Sequence, residues 1–386
     1  MLENKNITPN SELRTPNLKI GFDAKRAFVN SSGLGNYSRD IIRSMYELYP
    51  QNKYYLFTPE TETDLLHKEY QKNIVTTDAK TRIGKARWRS LRMGEDIKNN
   101  KIDIFHGLSN ELPANINICD AKKVVTIHDL IFIKFPQLYS YLDRKIYNRK
   151  SYNACKLSDK IIATSSQTKS DIIKYFEIPK SKIEVIYQTY NQSFKKKLDL
   201  KRITAIKQKY NLPGNYILTV GTIERRKNAL NVIKAIYYFD LNIKYVLVGK
   251  KTSYMNELVK WAKSHKILDR ILILNNIDND DMPAVYQAAD LFIYPSIYEG
   301  FGIPILEAFS SNIPVITGDS GSTAEISGNA AVQVEALNPK SIGIAIKSIL
   351  ESEELKADMI EAGKNRIKLF DREIVCNNMM DFYKNL

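Results

Sequence analysis

Two glutamates eight positions apart, Glu299 and Glu307, bracket a turn rich in glycine and proline in the segment Glu-Gly-Phe-Gly-Ile-Pro-Ile-Leu-Glu. The run 291–296 before it is apolar and aromatic and ends in turn residues, which predicts a buried parallel strand and its carboxyl end. Pro304 suits the first position of a helix, because its missing N–H would have no partner there. The free amides of residues 300–305 are therefore expected to form a helix end that attracts anions.

The two carboxylates need a different kind of partner, because a phosphate suits such a helix end and a carboxylate does not. Neutral hydroxyl groups can donate to both glutamates, and a sugar or a ribose supplies them. The segment therefore predicts a cradle for a sugar nucleotide. The alternative is that Glu307 only complements the helix dipole from the first turn, as acids commonly do.

Length and composition indicate a globular protein of two domains. The 386 residues exceed the size at which a single core stops growing, and 44% hydrophobic with 26% charged residues is an ordinary composition. No apolar run reaches the roughly 18 residues of a membrane-spanning helix, and the polar N-terminus is unlike a signal peptide, so we expect cytoplasmic residence. Cys119, Cys155 and Cys376 are too few and too widely spaced for a disulfide framework or a zinc site.

Positive charge is concentrated in the amino half. Residues 1–200 carry 34 Lys and Arg against 22 Asp and Glu, or +12, whereas residues 201–386 carry 23 against 21, or +2. Such a field could serve nucleic acid, an anionic membrane face or a phosphorylated substrate. In its densest part, 80–93, a solvated basic face with Trp88 turned inward is favoured slightly over membrane contact, because the apolar residues form no clean helical stripe. No nucleic-acid-binding pattern accompanies the charge, so no nucleic acid partner is expected.

Short apolar runs alternate with helical patterns along the chain, which predicts an α/β fold of parallel sheets covered by helices. A polar, basic stretch at 191–202 separates two such sets, so we place a polar tail at 1–17 and domains at 18–195 and 196–370. Ligands of open α/β sheets bind beyond the carboxyl ends of strands. The predicted strands are 18–23, 54–58, 102–106, 123–128, 160–164 and 183–187, then 216–221, 245–249, 271–274, 291–294, 314–317 and 332–334.

Glycines and histidines follow predicted strands of the first domain. Gly33 and Gly35 open a helix and could allow close approach of a diphosphate, although glycines at such turns also serve tight packing. His106 and His128 finish neighbouring strands, where a histidine can donate to a developing charge or orient a sugar hydroxyl. A single histidine is more often structural, but the paired placement favours a functional role, more strongly for His128 than for His106. Asp129, directly after it, is a further candidate.

Three consecutive cations, Arg225, Arg226 and Lys227, follow a predicted strand and precede an apolar helix. Cations normally avoid a helix start because they oppose its dipole, and a bound polyphosphate would reverse that objection. Lys227 and one of the two arginines could therefore neutralise a departing diphosphate, the alternative being a solvated turn. The acids Asp278 and Asp280 precede another predicted helix and are explained by capping, so no metal site is expected.

These segments, in this order, resemble the family 4 retaining glycosyltransferases, which have two facing Rossmann-like domains (the GT-B fold), each a parallel sheet flanked by helices. The resemblance covers residues 18–370 and is most specific in the motif from Glu299 to Glu307. It also implies that a last helix, 371–386, crosses back onto the first domain. The other matching segments are Gly33-Leu-Gly-Asn-Tyr37, Thr126-Ile-His-Asp-Leu130 with Phe135-Pro136, Val220-Gly-Thr-Ile-Glu-Arg-Arg-Lys-Asn228, Pro295-Ser-Ile-Tyr298 and Ile313-Pro-Val315.

The resemblance implies a role for each part of the glutamate motif. Glu299 would contact the donor sugar, and Glu307 would bind the ribose hydroxyls of the nucleotide. The amides of Phe301, Gly302 and Ile303 would face the hydroxyls or phosphates of the donor.

The resemblance also implies roles for residues outside the glutamate motif. Lys227 would neutralise the diphosphate. Many family members carry an arginine where this chain has Thr222 at the donor site, and Arg226 is expected to substitute for it. The active-site histidine of the family corresponds best to His128, with His106 as a competitor.

The implied reaction is transfer of a hexosyl group, with retention and without a metal or other cofactor, from a UDP- or GDP-linked sugar. The acceptor would be a glycan or a polyprenyl-linked glycan in surface polysaccharide or glycolipid synthesis. The basic and aromatic residues of 80–93 and 131–150 would suit a phosphate-bearing lipid, which would place the enzyme peripherally on the inner face of the plasma membrane. The alternatives are a sugar phosphorylase or nucleotide-sugar epimerase on the same scaffold, and a non-enzymatic polyanion-binding protein.

Overall fold

A computed structural model describes residues 17–60 and 62–386. The polar tail predicted at 1–17 therefore lies, except for residue 17, outside the described residues. The strands form two sheets, and every strand pair within them is parallel. No helix in the described ranges is both long and apolar enough to span a membrane.

The first sheet has the strand order β3-β2-β1-β4-β5-β6-β7. Its strands are β1 (Lys19–Asp23), β2 (Lys53–Phe57), β3 (Ile74–Val75), β4 (Ile104–Gly107), β5 (Lys122–Ile127), β6 (Lys160–Ala163) and β7 (Ile183–Val185). The helices of this part are α1 (Lys25–Val29), α2 (Gly33–Leu48), α3 (Arg82–Leu91), α4 (Met93–Asn99), α5 (Ile131–Lys134), α6 (Tyr141–Leu157) and α7 (Ser166–Phe176). The six strands predicted here are confirmed with bounds shifted by at most two residues, and β3 was missed.

The second sheet has the strand order β10-β9-β8-β11-β12-β13. Its strands are β8 (Tyr216–Val220), β9 (Lys244–Val248), β10 (Ile271–Leu274), β11 (Leu291–Tyr294), β12 (Val315–Gly318) and β13 (Val332–Val334). The remaining helices are α8 (Leu200–Lys209), α9 (Ala229–Tyr238), α10 (Tyr254–Ser264), α11 (Met282–Gln287), α12 (Ile303–Ser310), α13 (Gly321–Ser327), α14 (Pro339–Glu351), α15 (Glu353–Ile367) and α16 (Arg372–Lys384). All six predicted strands are present. The predicted fold class, two Rossmann-like sheets flanked by helices, is confirmed.

Both faces of each sheet are covered by helices, which explains why the strands read as continuous apolar runs. In β8, Tyr216 and Leu218 pack in one core and Ile217 packs in the core on the opposite face, as the two-residue period of a strand requires. Each sheet also has a switch point, because β1 lies between β2 and β4 and β8 lies between β9 and β11. Crevices for ligands open at such points, beyond the carboxyl ends of the strands.

The last helix, α16, packs against α2 of the first domain rather than on the second. Its buried side chains, including Met379 and Tyr383, belong to the core around β1 and β4. The domain boundary predicted between 195 and 196 lies between β7 and α8.

The assignment of Asp278 to capping before α11 was wrong, because its carboxylate forms an ion pair and the N-cap residue is Asp281, which was not predicted as a cap. Asp281, at the N-cap position, makes no side-chain cap hydrogen bond. The carboxylates of Asp278 and Asp281 instead pair with Lys209 of α8, each at 2.7 Å.

Candidate active site

The turn from β11 into α12 forms the cradle that the glutamate motif predicts. Gly302 is the N-cap residue of α12 with φ 130°, a conformation that residues with a side chain rarely adopt. The helix begins at Ile303, so Pro304 occupies the second helical position rather than the first. The amides of Phe301, Gly302 and Ile303 donate to no other group in the described chain. These donors therefore remain unused by the fold at a helix end that favours anions.

Glu299 is paired with the two cations that were expected to bind the donor's diphosphate. Its Oε1 lies 2.5 Å from Lys227 Nζ and its Oε2 lies 2.7 Å from Arg226 Nη1, with all three side chains at least nine-tenths buried. Burial favours the neutral carboxyl, but Lys227 and then Arg226 outweigh it and lower the pKa of Glu299 to about 2. The glutamate is therefore ionised and neutralises part of the charge of the cationic turn.

Only one of the two candidate arginines reaches the cradle. Arg226 donates to the Tyr298 carbonyl at 2.5 Å and pairs with Glu224 at 2.5 Å, in addition to its bond to Glu299. Arg225 is 69% exposed and pairs with Glu257 outside the cleft. Arg225 therefore drops out as a candidate.

Glu307 has a different environment from Glu299. Its Oε2 accepts a hydrogen bond of 2.7 Å from the Tyr286 hydroxyl of α11. Burial raises the pKa of Glu307 to about 7, and the bond from Tyr286 opposes that rise only in part. At neutral pH this carboxyl is therefore poised between its two forms, ready to accept from a hydroxyl when ionised.

His128 lies directly after β5 and is buried in the first domain. Its Nε2 donates to the Leu108 carbonyl at 2.9 Å, its Nδ1 accepts from Gln188 at 3.3 Å, and the Tyr37 ring packs edge-on with centroids 4.6 Å apart. Burial lowers the pKa of His128 to about 4, so the imidazole is neutral. Its carbonyl oxygen lies against Gly300, where an added Cβ would be 2.1 Å away. The structure thus brings His128 against the cradle of the second domain.

His106 is a core residue rather than part of the cleft. It is fully buried, with Nδ1 2.6 Å from the Tyr383 hydroxyl and Nε2 2.8 Å from Thr126 Oγ1. Burial lowers its pKa to about 3. Its role is structural, because these bonds tie α16 to the first sheet.

The remaining candidates border the site in different ways. Asp129 accepts from the Ile131 amide at 3.0 Å, and burial raises its pKa against the nearby charge of Arg226. Thr222 comes directly after Gly221. A Cβ added to Gly221 would lie 3.3 Å from Lys227 Cε, so Thr222 is next to a residue that contacts the cationic turn.

The two glycines at the start of α2 differ in their surroundings. A Cβ at Gly35 would lie 1.7 Å from the Asn30 carbonyl oxygen, so this position requires glycine for packing. A Cβ at Gly33 would meet nothing within 4 Å.

Hydroxyl groups from the first domain hold the cradle, and no sequence pattern predicted them. Ser165 and Thr168 donate to the Gly300 carbonyl at 2.7 and 3.2 Å. Tyr298 donates to Asp171 at 2.5 Å across the same interface. These partners lie far apart in the chain and carry no motif, and Tyr286 was missed for the same reason. The described residues contain no group of three or more His, Cys, Asp or Glu that could hold a metal.

Comparison with known proteins agrees with this geometry. A family model described as glycosyl transferases group 1 matches residues 202–366, and one described as glycosyltransferase family 4 matches residues 31–193. The fold and the cradle thus define a GT-B enzyme, and the two models cover both of its domains. The chain belongs to the family 4, group 1 glycosyltransferases.

Individual relatives show the extent of the similarity. O-antigen chain mannosyltransferase B of Escherichia coli is 28% identical over 300 residues, 75% of this chain and 76% of that protein. O-antigen chain mannosyltransferase RfbU of Salmonella typhimurium is 30% identical over 253 residues, 64% of this chain and 65% of that protein. HepE of Anabaena, solved in complex with UDP and glucose, has a TM-score of 0.74 at 17% identity over 96% of this chain and all of that chain. At that identity the likeness shows the fold alone.

Proposed function

We propose that the protein transfers a hexosyl group, with retention of configuration, from a UDP- or GDP-linked sugar to a glycan or polyprenyl-linked glycan. In this scheme no metal takes part and no cofactor is needed beyond the donor. The observation that carries the proposal is the contact of His128 with the turn that contains Glu299 and Gly300. Through this contact the cations and unused amides of the second domain lie beside the first domain. The names of the O-antigen mannosyltransferases support a role in surface polysaccharide synthesis, and the UDP complex of HepE supports a nucleotide donor.

The ion pairs at the cradle suggest how the donor is bound. An incoming diphosphate competes with Glu299 for Lys227 and Arg226, because it carries more negative charge than one carboxylate. Glu299 is then free to accept from a sugar hydroxyl, while the cations and the amides of α12 stabilise the charge that develops on the leaving phosphate. The His128 ring is neutral and its Nε2–H donates to the Leu108 carbonyl. In this scheme the ring is therefore held in place beside the cradle and does not transfer a proton. The leaving phosphate accepts the acceptor's proton.

We also propose that the enzyme works in the cytoplasm, peripherally on the inner face of the plasma membrane. Two exposed apolar side chains at the start of α6, Tyr141 and Leu142, are followed after one residue by the cations Arg144 and Lys145. Such a surface suits anionic lipid. Trp88, by contrast, is turned inward, with its Nε1 donating to Asp96 at 2.7 Å. Failure to sediment with anionic vesicles at low salt would remove the support for this placement.

A donor screen tests the proposed reaction. UDP- and GDP-sugars are scanned for a rise in melting temperature, and a ligand at 100 times its Kd stabilises by about 2.7 kcal/mol. Transfer from the best donor is then measured, with the anomeric configuration of the product read by NMR. We expect Lys227→Gln to lower turnover at least about ten-fold, or roughly 1.4 kcal/mol of barrier. Wild-type turnover in this variant, an inverted product, or turnover with inorganic phosphate and no nucleotide would refute the proposal.

A further inference from the structure

A cavity lies in the first domain, outside the cradle. It has a volume of about 240 Å³ and opens where β1 ends at Asp23 and where the loop after β4 reaches Glu111. Helices α3 and α6 form its other walls. The apolar wall of the cavity consists of Leu91, Leu112, Pro113, Ala114, Ile146 and Leu157.

A buried ion network fixes the polar side of this cavity. The Arg89 guanidinium donates to Asp23 through Nε at 3.0 Å and through Nη2 at 2.5 Å, and its Nη1 lies 2.5 Å from Glu111 Oε2. Lys150 of α6 contacts the same Glu111 oxygen at 3.1 Å. Arg89 and Asp23 are almost fully buried. Because both carboxylates are paired within the protein, neither calls for a cation from a ligand.

Two further cations, the exposed Arg149 and the half-buried Lys25, add positive charge at this site. Arg149 lines the cavity and forms no ion pair or hydrogen bond within the described ranges. Lys25, next to the network, has its pKa lowered by burial and then by the repulsion of Arg89. The cavity lining contains three cations, Arg89, Arg149 and Lys150, and with the neighbouring Lys25 there are four against the two carboxylates of Asp23 and Glu111. An anion of about two charges would neutralise it.

The cavity is linked to the cradle through a single loop. In this loop the Leu108 carbonyl accepts from His128 Nε2, Asn110 accepts from the His128 amide at 2.8 Å, and Glu111 holds Arg89. Because β1 and β5 are separated only by β4 in the sheet, the ends of β1 and β5 are about 10 Å apart. A group bound in the cavity can therefore be joined to a sugar whose hydroxyl lies beside His128.

We propose that this cavity binds the phosphate or diphosphate of the glycosyl acceptor, with Arg149 and Lys150 contacting the anion and the apolar wall receiving the group attached to it. The inference rests on the proposed function and names the chemical class of its acceptor. A phosphate monoester carries about 1.5 to 2 negative charges at neutral pH, which matches the unbalanced cations. The anion could belong to a lipid-linked diphosphate or to a soluble sugar phosphate, and the apolar wall leads us to expect tighter binding of the lipid form.

Calorimetric titration of the full chain tests this assignment. UDP or GDP first saturates the donor site, and decyl diphosphate, glucose 1-phosphate or an uncharged decyl glycoside is then added. We expect the phosphate-bearing probes to bind, and Arg149→Gln to weaken them at least ten-fold while leaving nucleotide affinity unchanged. Lys156→Gln, which removes a charge from the exposed end of the same helix outside the cavity, should leave all affinities unchanged. Arg89 is left intact because its removal would expose two buried carboxylates to each other.

The outcomes separate this inference from the proposed function. Nucleotide binding without phosphate-probe binding, equal binding of the uncharged decyl glycoside, or equal losses in Arg149→Gln and Lys156→Gln would overturn the assignment of the cavity and leave the proposed function standing. Absence of UDP and GDP binding would instead overturn the proposed function on which the acceptor role rests. Tighter binding of decyl diphosphate than of glucose 1-phosphate supports a lipid-linked acceptor, and the reverse supports a soluble one.

Discussion

The two glutamates of the cradle are held in opposite electrostatic states. Glu299 faces two cations, which keep its pKa near 2, whereas Glu307 faces the neutral Tyr286 hydroxyl and has a pKa of about 7. Environments that separate the pKa values of two acids give them different tasks. Glu299 stays ionised at every physiological pH, while Glu307 changes its charge within that range.

Donor binding should therefore depend on pH through Glu307. If Glu307 binds the ribose, as the family resemblance implies, its carboxylate accepts two ribose hydroxyls when ionised, whereas the neutral acid keeps one proton of its own. With a pKa of about 7, the ionised fraction falls about ten-fold from pH 8 to pH 6. We expect the affinity for UDP or GDP to fall by a similar factor over this range, as measured by calorimetry in buffers matched for ionisation heat.

Two variants identify the titrating group. In Glu307→Gln the dependence should disappear, since the amide does not ionise. In Tyr286→Phe the loss of the hydrogen bond that opposes burial should move the midpoint above that of the wild type. A flat profile in the wild type, or the same midpoint in Glu307→Gln, would contradict the assignment.

The sequence predicted which residues form the cradle but not how they pair. Glu299, Glu307 and Lys227 stand in a motif whose spacing is local, so their positions could be inferred. The ion pair between Glu299 and the cationic turn depends on β8 lying beside β11, a contact between segments 72 residues apart. The structural role of His106 likewise depends on Tyr383, which arrives from the other end of the chain.

At the scale of elements, the two glycines at the start of α2 allow a role in packing to be distinguished from a role in ligand binding. Alanine at Gly35 would collide with the Asn30 carbonyl, and overpacking of this kind costs about 1–3 kcal/mol, so Gly35→Ala should lower the melting temperature. Gly33→Ala meets open space and should not. If the loop approaches a diphosphate as predicted, Gly33→Ala should still weaken donor binding. Donor affinity by calorimetry and melting temperature by thermal unfolding are measured for both variants. Gly214→Ala, where a Cβ also meets nothing within 4 Å, is the control. Unchanged donor affinity in Gly33→Ala would show that this loop is not part of the donor site.

Elements were predicted well where a single segment determines them. Twelve strands were predicted from apolar runs, which arise because both faces of each sheet are buried. The strand β3 has only two residues, both half-buried, and shows no such pattern. The acids before α11 were read as caps from local chemistry alone. The partner of Asp278, Lys209, comes from α8, which no local pattern could indicate.

For the whole molecule, the contacts between the domains hold the cleft in a closed arrangement. Glu325 of α13 accepts from the Ser166 amide at 3.0 Å at the start of α7, and also from the Tyr187 hydroxyl at 3.0 Å. A carboxylate at a helix start is favoured by the dipole. Together with the hydroxyls that bind the Gly300 carbonyl, this contact keeps His128 against the cradle.

Removal of the Glu325 carboxylate should therefore open the cleft. Glu325→Ala should leave each domain core intact, because the side chain is half-buried and its hydrogen bonds come from Ser166 and Tyr187 of the first domain. We expect a larger radius of gyration by small-angle scattering. Turnover should fall about ten-fold, since a cleft that is closed for a smaller fraction of the time loses the alignment of its groups. Glu354→Ala, which removes an exposed acid from α15 of the same domain, should leave both quantities at the wild-type level. An unchanged radius of gyration and unchanged turnover in Glu325→Ala would show that the domains close without this contact.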